Sequence, residues 1–172
     1  MHIRSETHSD FGAVRRVLVA AFGSDNVADM VERIRASAQY DPELALVAEA
    51  DGVVHGYVLV SGALLRAPDG SVRPIANLSP LAVDPSQQRQ GIGGSLIRAA
   101  TERAEDLGKP FVVLEGDHLY YSRFGFEHST RYAIEIHLPD GVRPESAQVL
   151  RLASYDPTWS GMVVYPPAFD GV

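Results

Sequence analysis

The sequence predicts one α/β domain of the α+β kind, with a mixed and mostly antiparallel central sheet and helices on both faces. Two strand patterns flank Asp51-Gly52, a favoured two-residue turn, and predict an antiparallel hairpin. A strand, a helix and a second strand follow between residues 75 and 116. This order predicts a parallel pair with a right-handed crossover. Two amphipathic helices precede the hairpin, so helical layers and a sheet are expected in one core.

The first elements are expected at the borders of the sheet. Residues 2–6 alternate in polarity, as a short edge strand does. Ser9 or Asp10 is a suitable cap for a first helix, which Gly23 ends. A second helix is predicted over about residues 26–38, with apolar side chains on one face and mostly charged ones on the other. Both helices are therefore expected at the surface, packed through one face.

The middle of the chain supplies the central strands. Strands are predicted over 44–50, 53–62 and 75–85, with a loop over 66–74. The last of these strands contains Ser79-Pro80. Proline cannot donate to a strand ladder, so we expect a bulge or a splayed strand at this step.

The remaining elements complete the domain. A helix is predicted over 91–107 and strands over 109–116 and 131–138. Asp117 is expected to cap a short helix that Gly125 ends in the left-handed conformation. Residues 140–172 are predicted to be an extended segment with turns. No linker or repeat divides the chain, so residues 1–172 are expected to be a single domain.

Composition and charge exclude several classes of protein. The chain has 172 residues, 45% hydrophobic and 22% charged, so it can bury a core. A net charge of −7 argues against a general nucleic-acid or membrane-surface binder. Without cysteine there are no disulfides or cysteine-based zinc sites, and the spacing of the six histidines predicts no metal site. No signal segment and no run of about 20 apolar residues occurs, so a cytoplasmic location is expected.

Three glycines occupy four positions at the start of the helix over 91–107: Gly91, Gly93 and Gly94. Glycine costs about 1 kcal/mol relative to alanine inside a helix, so these positions indicate a need for absent side chains. Unpaired N–H groups at a helix N-terminus bind phosphate, and glycine lets the ligand approach closely. GxxxxGK[ST] is missing, and Leu96 replaces the third glycine of GxGxxG. The alternative is that the glycines serve only close helix–strand packing.

Two segments carry distinctive motifs: LAVDPSQQRQGIGGSLI contains [QR]-x-x-G-x-[GA] at residues 88–93, and YYSRFGF occupies residues 120–126. The first resembles the acetyl-CoA motif of the GNAT N-acetyltransferase superfamily. The second resembles the FYxxxGF segment that follows the next strand in that family. The order of strands and helices matches over residues 2–138, and the chain resembles most the small bacterial predicted acetyltransferases of the YhbS-like group. The resemblance implies the acyl-CoA N-acyltransferase fold, with acetyl-CoA as cosubstrate and no metal.

In that family acetyl-CoA lies where two central strands splay apart, and its diphosphate lies on the loop amides. The pantetheine arm pairs with the preceding strand like an added strand. The cofactor-binding residues that the resemblance implies are Leu81, Ala82, Val83, Gln88, Arg89, Gln90, Gly91, Ile92, Gly93, Gly94 and Ser95. An N–H around Ala82 or Val83 would stabilise the oxyanion. Arg89 replaces a common glycine, and it either contacts a CoA phosphate or points into solvent.

The resemblance assigns the acid that protonates the departing thiolate to Tyr121, four residues before Gly125. Tyrosine has a reference pKa of about 10, so it carries its proton at pH 7. Tyr120 and Phe124 are expected to pack instead. The amine proton has several candidate acceptors, namely Glu115, Asp117, His118 or a water relay.

The implied reaction is direct attack of a primary amine, on a small molecule or a protein, within a ternary complex. The amine is expected to enter opposite CoA, between the first two helices and residues 140–172, which cover the sheet edge or the acceptor site. Trp159 and Tyr165 would form an apolar wall there or cover the edge. The acidic residues Asp25, Asp29 and Glu32 either attract a cationic amine or form a solvated face.

Two further hypotheses remain open from the sequence. A CoA-binding regulatory module without turnover would keep the glycine loop and would not need Tyr121. An interaction domain would use the glycine turn for packing alone. The sequence also leaves open the acceptor, the length of the acyl chain and the oligomeric state, a homodimer included.

Overall fold

The computed structural model describes residues 1–172, which form nine β-strands and four α-helices. The strands are β1 (His2–Ser5), β2 (Ala45–Ala50), β3 (Val53–Arg66), β4 (Val72–Val83), β5 (Phe111–Glu115), β6 (Glu127–His128), β7 (Ile134–Glu135), β8 (Ala147–Arg151) and β9 (Gly161–Val164). The helices are α1 (Phe11–Phe22), α2 (Asn26–Arg35), α3 (Ile92–Asp106) and α4 (His118–Tyr121). One sheet contains all the strands, in the order β1-β2-β3-β4-β5-β8-β6, and β9 pairs with both β3 and β7.

The sheet is mixed and mostly antiparallel, which confirms the predicted fold class. Parallel pairing occurs only between β4 and β5 and between β7 and β9. The β4–β5 contact is short, because it involves only Ala76 and Asn77 of β4. The two strands separate beyond that point, as expected of a splayed pair. The main chain over 81–83 therefore has no strand partner on the side of β5.

A β-bulge interrupts β4 at Ser79-Pro80, where the sequence predicts one, and the peptide bond between these residues is cis. The register with β3 moves from Val60↔Leu78 to Val58↔Leu81, so β4 holds one residue more than β3 across this step. The β4 side chains that pack on the side of α3 are Ala76, Leu78, Leu81 and Val83. The bulge therefore exchanges the faces of odd- and even-numbered residues along the strand.

Helices cover the two faces of the sheet unequally. On one face, α3 buries its apolar stripe, which consists of Leu96, Ile97, Ala100 and Ala104. On the other face, α1 and α2 cover the half of the sheet around β2 and β3. The C-terminal segment covers the rest of that face, with Tyr155, Trp159 and Tyr165 against Phe111 and its neighbours. The gap between β4 and β5 therefore opens toward α3 on one face and toward α2 and the C-terminal segment on the other.

A buried ion pair fixes α2 to the end of β1. The Glu6 side chain is fully buried and receives two hydrogen bonds from the guanidinium of Arg35. The hydroxyls of Tyr40 and Tyr57 donate to the same carboxylate, at 2.9 and 3.2 Å. Removing one partner of such a pair typically costs about 3–5 kcal/mol, because the other charge stays buried and uncompensated.

The structure corrects three predicted elements. The strand predicted over 131–138 is wrong except for β7, because Ala133 is in the left-handed region at φ 52° and a 3₁₀ turn precedes it. The position beside β5 belongs instead to β8, within the segment predicted only as extended. The loop over 66–74 is a tight turn over 67–71 between two longer strands. The second helix ends at Arg35, three residues early. No helix combines the length and the apolar character that a membrane span requires.

Candidate active site

A cleft of about 800 Å³ lies on the α3 face where β4 and β5 separate, and we call it the α3-side cleft. It is lined by Leu81, Val83, Gln87, Gln88, Arg89, Gly91, Ile92, Gly93, Gly94, Arg98, Tyr120, Arg123 and Phe124. Most of the predicted cofactor residues are in this set. The exceptions are Ala82, Gln90 and Ser95. Ala82 instead packs on the opposite face, beside α1 and α2.

The glycines before and within the first turn of α3 have separate structural roles. Gly91 is the cap residue of α3 and has φ 84°, a conformation that favours glycine. A Cβ on Gly93 would lie 2.6 Å from the Tyr120 hydroxyl. A Cβ on Gly94 would lie 3.0 Å from the Phe124 ring. The first N–H groups of α3 have no acceptor within the helix. They remain open to the cleft because glycine has no side chain to fill the space beside Tyr120 and Phe124.

Strand β4 presents unpaired main-chain groups to the cleft. The Asp84 N–H donates to the His55 carbonyl of β3, at 2.8 Å. Because N–H directions alternate along a strand, the N–H groups of Leu81 and Val83 point away from β3, and that of Ala82 points toward it. The Gln88 side chain donates to the Val83 carbonyl at 3.1 Å and so occupies one acceptor at this edge.

Three arginines give the α3-side cleft a local positive charge in an acidic protein. Arg89, Arg98 and Arg123 line the cleft, and none belongs to an ion pair of the structure. The Arg123 guanidinium lies 4.6 Å from the centre of the Tyr120 ring, and that of Arg98 lies 5.3 Å from the Phe124 ring. Such stacking orients a guanidinium without neutralising it, so the charges remain available to an anion.

Tyr121 is more buried than Tyr120 and is not among the residues that line the α3-side cleft. Its ring packs edge-on against Phe126, with centroids 5.8 Å apart, and a Cβ on Gly116 would collide with it. Burial raises the pKa of Tyr121 to about 12, so the hydroxyl stays protonated at neutral pH. Tyr120 lines the cleft itself, and burial raises its pKa as well.

A second cavity, of about 410 Å³, lies on the opposite face of the same gap, and we call it the tail-side pocket. It is lined by Met30, Asn77, Ser79, Glu115, His137, Pro139, Tyr165, Phe169 and Val172. The Tyr165 hydroxyl donates to the Glu115 carboxylate at 2.8 Å. Burial and this carboxylate together raise the pKa of Tyr165. Arg33 of α2 holds the segment in place by donating to the carbonyls of Ala168 and Asp170, both at 3.0 Å.

The comparisons with known proteins agree with this geometry. Residues 41–128 match the family model for an acetyltransferase (GNAT) domain. YhbS of Escherichia coli K12, an uncharacterized N-acetyltransferase, is 34% identical over 155 residues, or 89% of this chain and 88% of that protein. This chain is a member of the GNAT acetyltransferase family. The crystal structure of Escherichia coli YhbS in complex with CoA superposes with a TM-score of 0.86, at 32% identity, over 98% of this chain and 91% of that one.

Two further relatives support the membership of this GNAT chain. A GNAT acetyltransferase of Brucella melitensis, solved in complex with acetyl-CoA, has a TM-score of 0.78 and 32% identity. The match covers 98% of this chain and 97% of that one. YjhQ of Escherichia coli K12, another uncharacterized N-acetyltransferase, is 36% identical over 120 residues, covering 69% of this chain and 65% of YjhQ. The resemblance stated from the two sequence motifs is thereby confirmed, and so is the acyltransferase fold.

The other predicted groups of this GNAT domain, namely two candidate proton acceptors and the acidic residues near α2, differ in their surroundings. The Asp117 carboxylate accepts the Leu119 N–H at 2.9 Å, as the predicted cap of α4. His118 is exposed. The acidic set near α2 is paired with Arg15, which donates to Asp25, Asp29 and Glu32 at 2.7, 2.9 and 2.8 Å. Because Arg15 pairs with all three carboxylates, this set is an ion-pair network that keeps an excess of negative charge.

Several residues that line the two cavities are not among those the sequence predicts for the site. Arg98 follows Gly94 by one helical turn, so its place beside the loop is readable from helix periodicity. Arg123 follows Tyr120 by three residues and is readable in the same way. The hydrogen bond between Tyr165 and Glu115 joins residues that are 50 positions apart, so no local sequence pattern predicts it.

Proposed function

We propose that this chain is an N-acetyltransferase that moves the acetyl group of acetyl-CoA to a primary amine by direct attack in a ternary complex. One observation carries the proposal. The open N-terminus of α3, three unpaired arginines and the unpaired edge of β4 all border one cleft. YhbS and the Brucella protein, which match nearly the whole chain, hold CoA and acetyl-CoA in their structures.

In this proposal the α3-side cleft binds acetyl-CoA. The main-chain N–H groups between Gln88 and Ser95 bind the diphosphate, helped by the partial positive charge of the helix end. Arg89, Arg98 and Arg123 supply full charges to the phosphates. The pantetheine arm pairs with residues 81–83 along the open edge of β4, and it displaces the Gln88 amide from the Val83 carbonyl.

The proposed chemistry follows from groups at the gap between β4 and β5. The neutral amine attacks the thioester carbonyl, a C–N bond forms, and the oxyanion is stabilised by the N–H of Val83, which faces the gap. Collapse of the intermediate breaks the C–S bond. Tyr121 gives its proton to the departing thiolate, the attacking nitrogen releases its extra proton to solvent, and Tyr121 regains a proton from solvent. The raised pKa of Tyr121 supports this role, because the group is a proton donor throughout the neutral range.

The amine enters from the tail-side pocket in this scheme. Glu115 is the proposed acceptor for the proton of the ammonium, directly or through water, because Asp117 is engaged as a helix cap and His118 lies outside the pocket. The Tyr165 hydroxyl orients the Glu115 carboxylate. Residues 140–172 then form one wall of the acceptor site within a single domain.

Two measurements test the proposal in order. Calorimetric titration with CoA is expected to give a dissociation constant in the micromolar range, and no heat at millimolar CoA would leave only an interaction domain. Release of free CoA thiol from acetyl-CoA, measured over a panel of primary amines, is then expected with at least one amine. Tight CoA binding with no thiol release above the amine-free rate would favour a CoA-binding regulatory module instead.

A further inference from the structure

The tail-side pocket has a one-sided charge. Glu115 is its only carboxylate side chain, and no lysine or arginine is among the residues that line it. His137 and Tyr165 are the other titratable side chains, and the Tyr165 hydroxyl points at Glu115. A ligand cation is therefore attracted to Glu115, and a ligand carboxylate would meet a like charge with no cation beside it.

The pocket also contains an unused amide. Asn77 is 2% exposed, and its Nδ2 atom has no hydrogen-bond partner in the structure. A buried polar group without a partner is costly, so such a group in a cavity wall indicates that a ligand completes it. The amide carries no charge, and it binds a neutral carbonyl or hydroxyl group without needing an ion.

Asn77 and Glu115 are placed to act on one small molecule. Asn77 pairs with Val113 of β5, and Glu115 lies two residues further along that strand, on the same face as Val113. Val113 thus lies about 5 Å across the sheet from Asn77, and Glu115 lies about 6.6 Å further along β5, where the two strands have begun to separate. Apolar groups close the other walls, with the rings of Tyr165 and Phe169 5.4 Å apart and Met30 of α2 beside them.

We infer that the tail-side pocket takes a primary amine that carries a neutral hydrogen-bonding group on the adjacent carbon and an apolar body. Glu115 receives the ammonium, Asn77 receives the neutral group, and the aromatic wall receives the apolar part. Amines with a carboxylate at the adjacent carbon are rejected. This inference rests on the proposed function, because it names the acceptor class for the same reaction.

The test uses three matched probes that differ at one position: phenylalaninamide, phenethylamine and phenylalanine. Binding to the CoA-saturated protein is measured by ligand-observed NMR, and thiol release from acetyl-CoA is measured with the same compounds. Phenylalaninamide is expected to bind at least about tenfold more tightly than phenylalanine and several-fold more tightly than phenethylamine. Equal or tighter binding of phenylalanine overturns the inference, as does failure of all three to bind at millimolar concentration.

Variants assign each preference to its side chain. Glu115→Gln keeps the shape of the side chain and removes its charge. The dissociation constants of phenylalanine and phenylalaninamide are therefore expected to become nearly equal. Asn77→Ala and Asn77→Ser are expected to remove the ratio between phenylalaninamide and phenethylamine. Ser129→Ala is the control, because Ser129 is also buried and unpartnered, lies outside the pocket and does not pair with β4. An effect of Ser129→Ala equal to that of Asn77→Ala overturns the role of Asn77.

The two proposals fail in distinguishable ways. Probe binding is repeated without CoA, so it reports on the pocket independently of the α3-side cleft. Normal CoA binding and thiol release with an amine that also carries a carboxylate would overturn the acceptor class alone. Absent CoA binding beside the expected probe order would overturn the proposed function and keep the pocket chemistry.

Discussion

The α3-side cleft and the tail-side pocket lie on opposite faces of one gap, yet the chain builds them in different ways. The cleft takes its lining from two continuous stretches, 81–98 and 120–124. The pocket takes its lining from α2, β4, β5, the loop around His137 and the C-terminal segment. The cleft is rich in glycine and arginine, whereas the pocket has one carboxylate, one free amide and aromatic walls. A local motif therefore specifies the side that binds CoA in our proposal, and long-range topology specifies the other side.

The largest expected effect comes from filling the α3-side cleft. Gly93→Val places a branched side chain where even a Cβ lies 2.6 Å from the Tyr120 hydroxyl. We expect the dissociation constant of CoA to rise by about 100-fold or more, with probe binding in the tail-side pocket unchanged. Gly12→Val is the matched control, since Gly12 is also the second residue of its helix and has open space around it. Calorimetry with unchanged CoA affinity in Gly93→Val would refute this division of the two sites.

The second effect concerns Tyr121, which lines neither cavity and packs against Gly116 and Phe126 just after β5. Tyr121→Phe removes the proposed acid, and kcat is expected to fall by about 100-fold or more with little change in CoA affinity. Tyr120→Phe is the neighbouring control, and its kcat is expected to stay within a few-fold of the wild type. Equal kcat values for Tyr121→Phe and the wild type would remove Tyr121 from the mechanism.

The pH profile sharpens the assignment of Tyr121. The acid acts in its protonated form, and its pKa is raised to about 12, so this group loses its proton only above the usual range of assay. Amine deprotonation speeds the reaction as pH rises. We therefore expect kcat/KM to rise and then level between pH 7 and about 10, without a falling limb. A rate that falls above pH 9 in a protein that stays folded would point to a different acid.

A smaller effect is expected from the charges of the cleft. Arg98→Gln combined with Arg123→Gln should raise the dissociation constant of CoA about tenfold and weaken its dependence on salt, because two charge-assisted contacts are lost. The affinity of amine probes should not change. Arg143→Gln, on an exposed loop, is the control. Calorimetry at two salt concentrations measures both expectations, and equal salt dependence in wild type and double variant would count against the arginines.

The smallest effect is expected on the other face. Arg33→Gln removes the hydrogen bonds that hold the carbonyls of Ala168 and Asp170. Looser docking of this segment should raise the KM of the amine a few-fold and leave the dissociation constant of CoA unchanged. Steady-state kinetics at saturating acetyl-CoA measures the first, and calorimetry the second. A changed CoA affinity would mean that the two faces are coupled.

Short sequence motifs predicted those parts of the fold and the candidate site whose geometry depends only on neighbouring residues in the chain. Asp51-Gly52 places the hairpin, and the three glycines mark the start of α3 within one residue. Ser79-Pro80 marks the bulge for a stereochemical reason that needs no tertiary contact. The strand predicted over 131–138 was wrong because an alternating pattern of polarity does not show which segment pairs with β5. That segment is β8, further along the chain. The tail-side pocket was not predictable in detail, since Met30, Asn77 and Tyr165 meet only after the sheet has formed.

The bulge at Ser79-Pro80 bears on the order in which two substrates arrive. Before the bulge, Asn77 lines the tail-side pocket, and after it, Leu81 and Val83 line the α3-side cleft. The sheet thus separates the α3-side cleft from the tail-side pocket, and each cavity opens to solvent on its own face. In the proposed reaction each substrate enters from its own face and leaves the other face open, so we expect random-order addition.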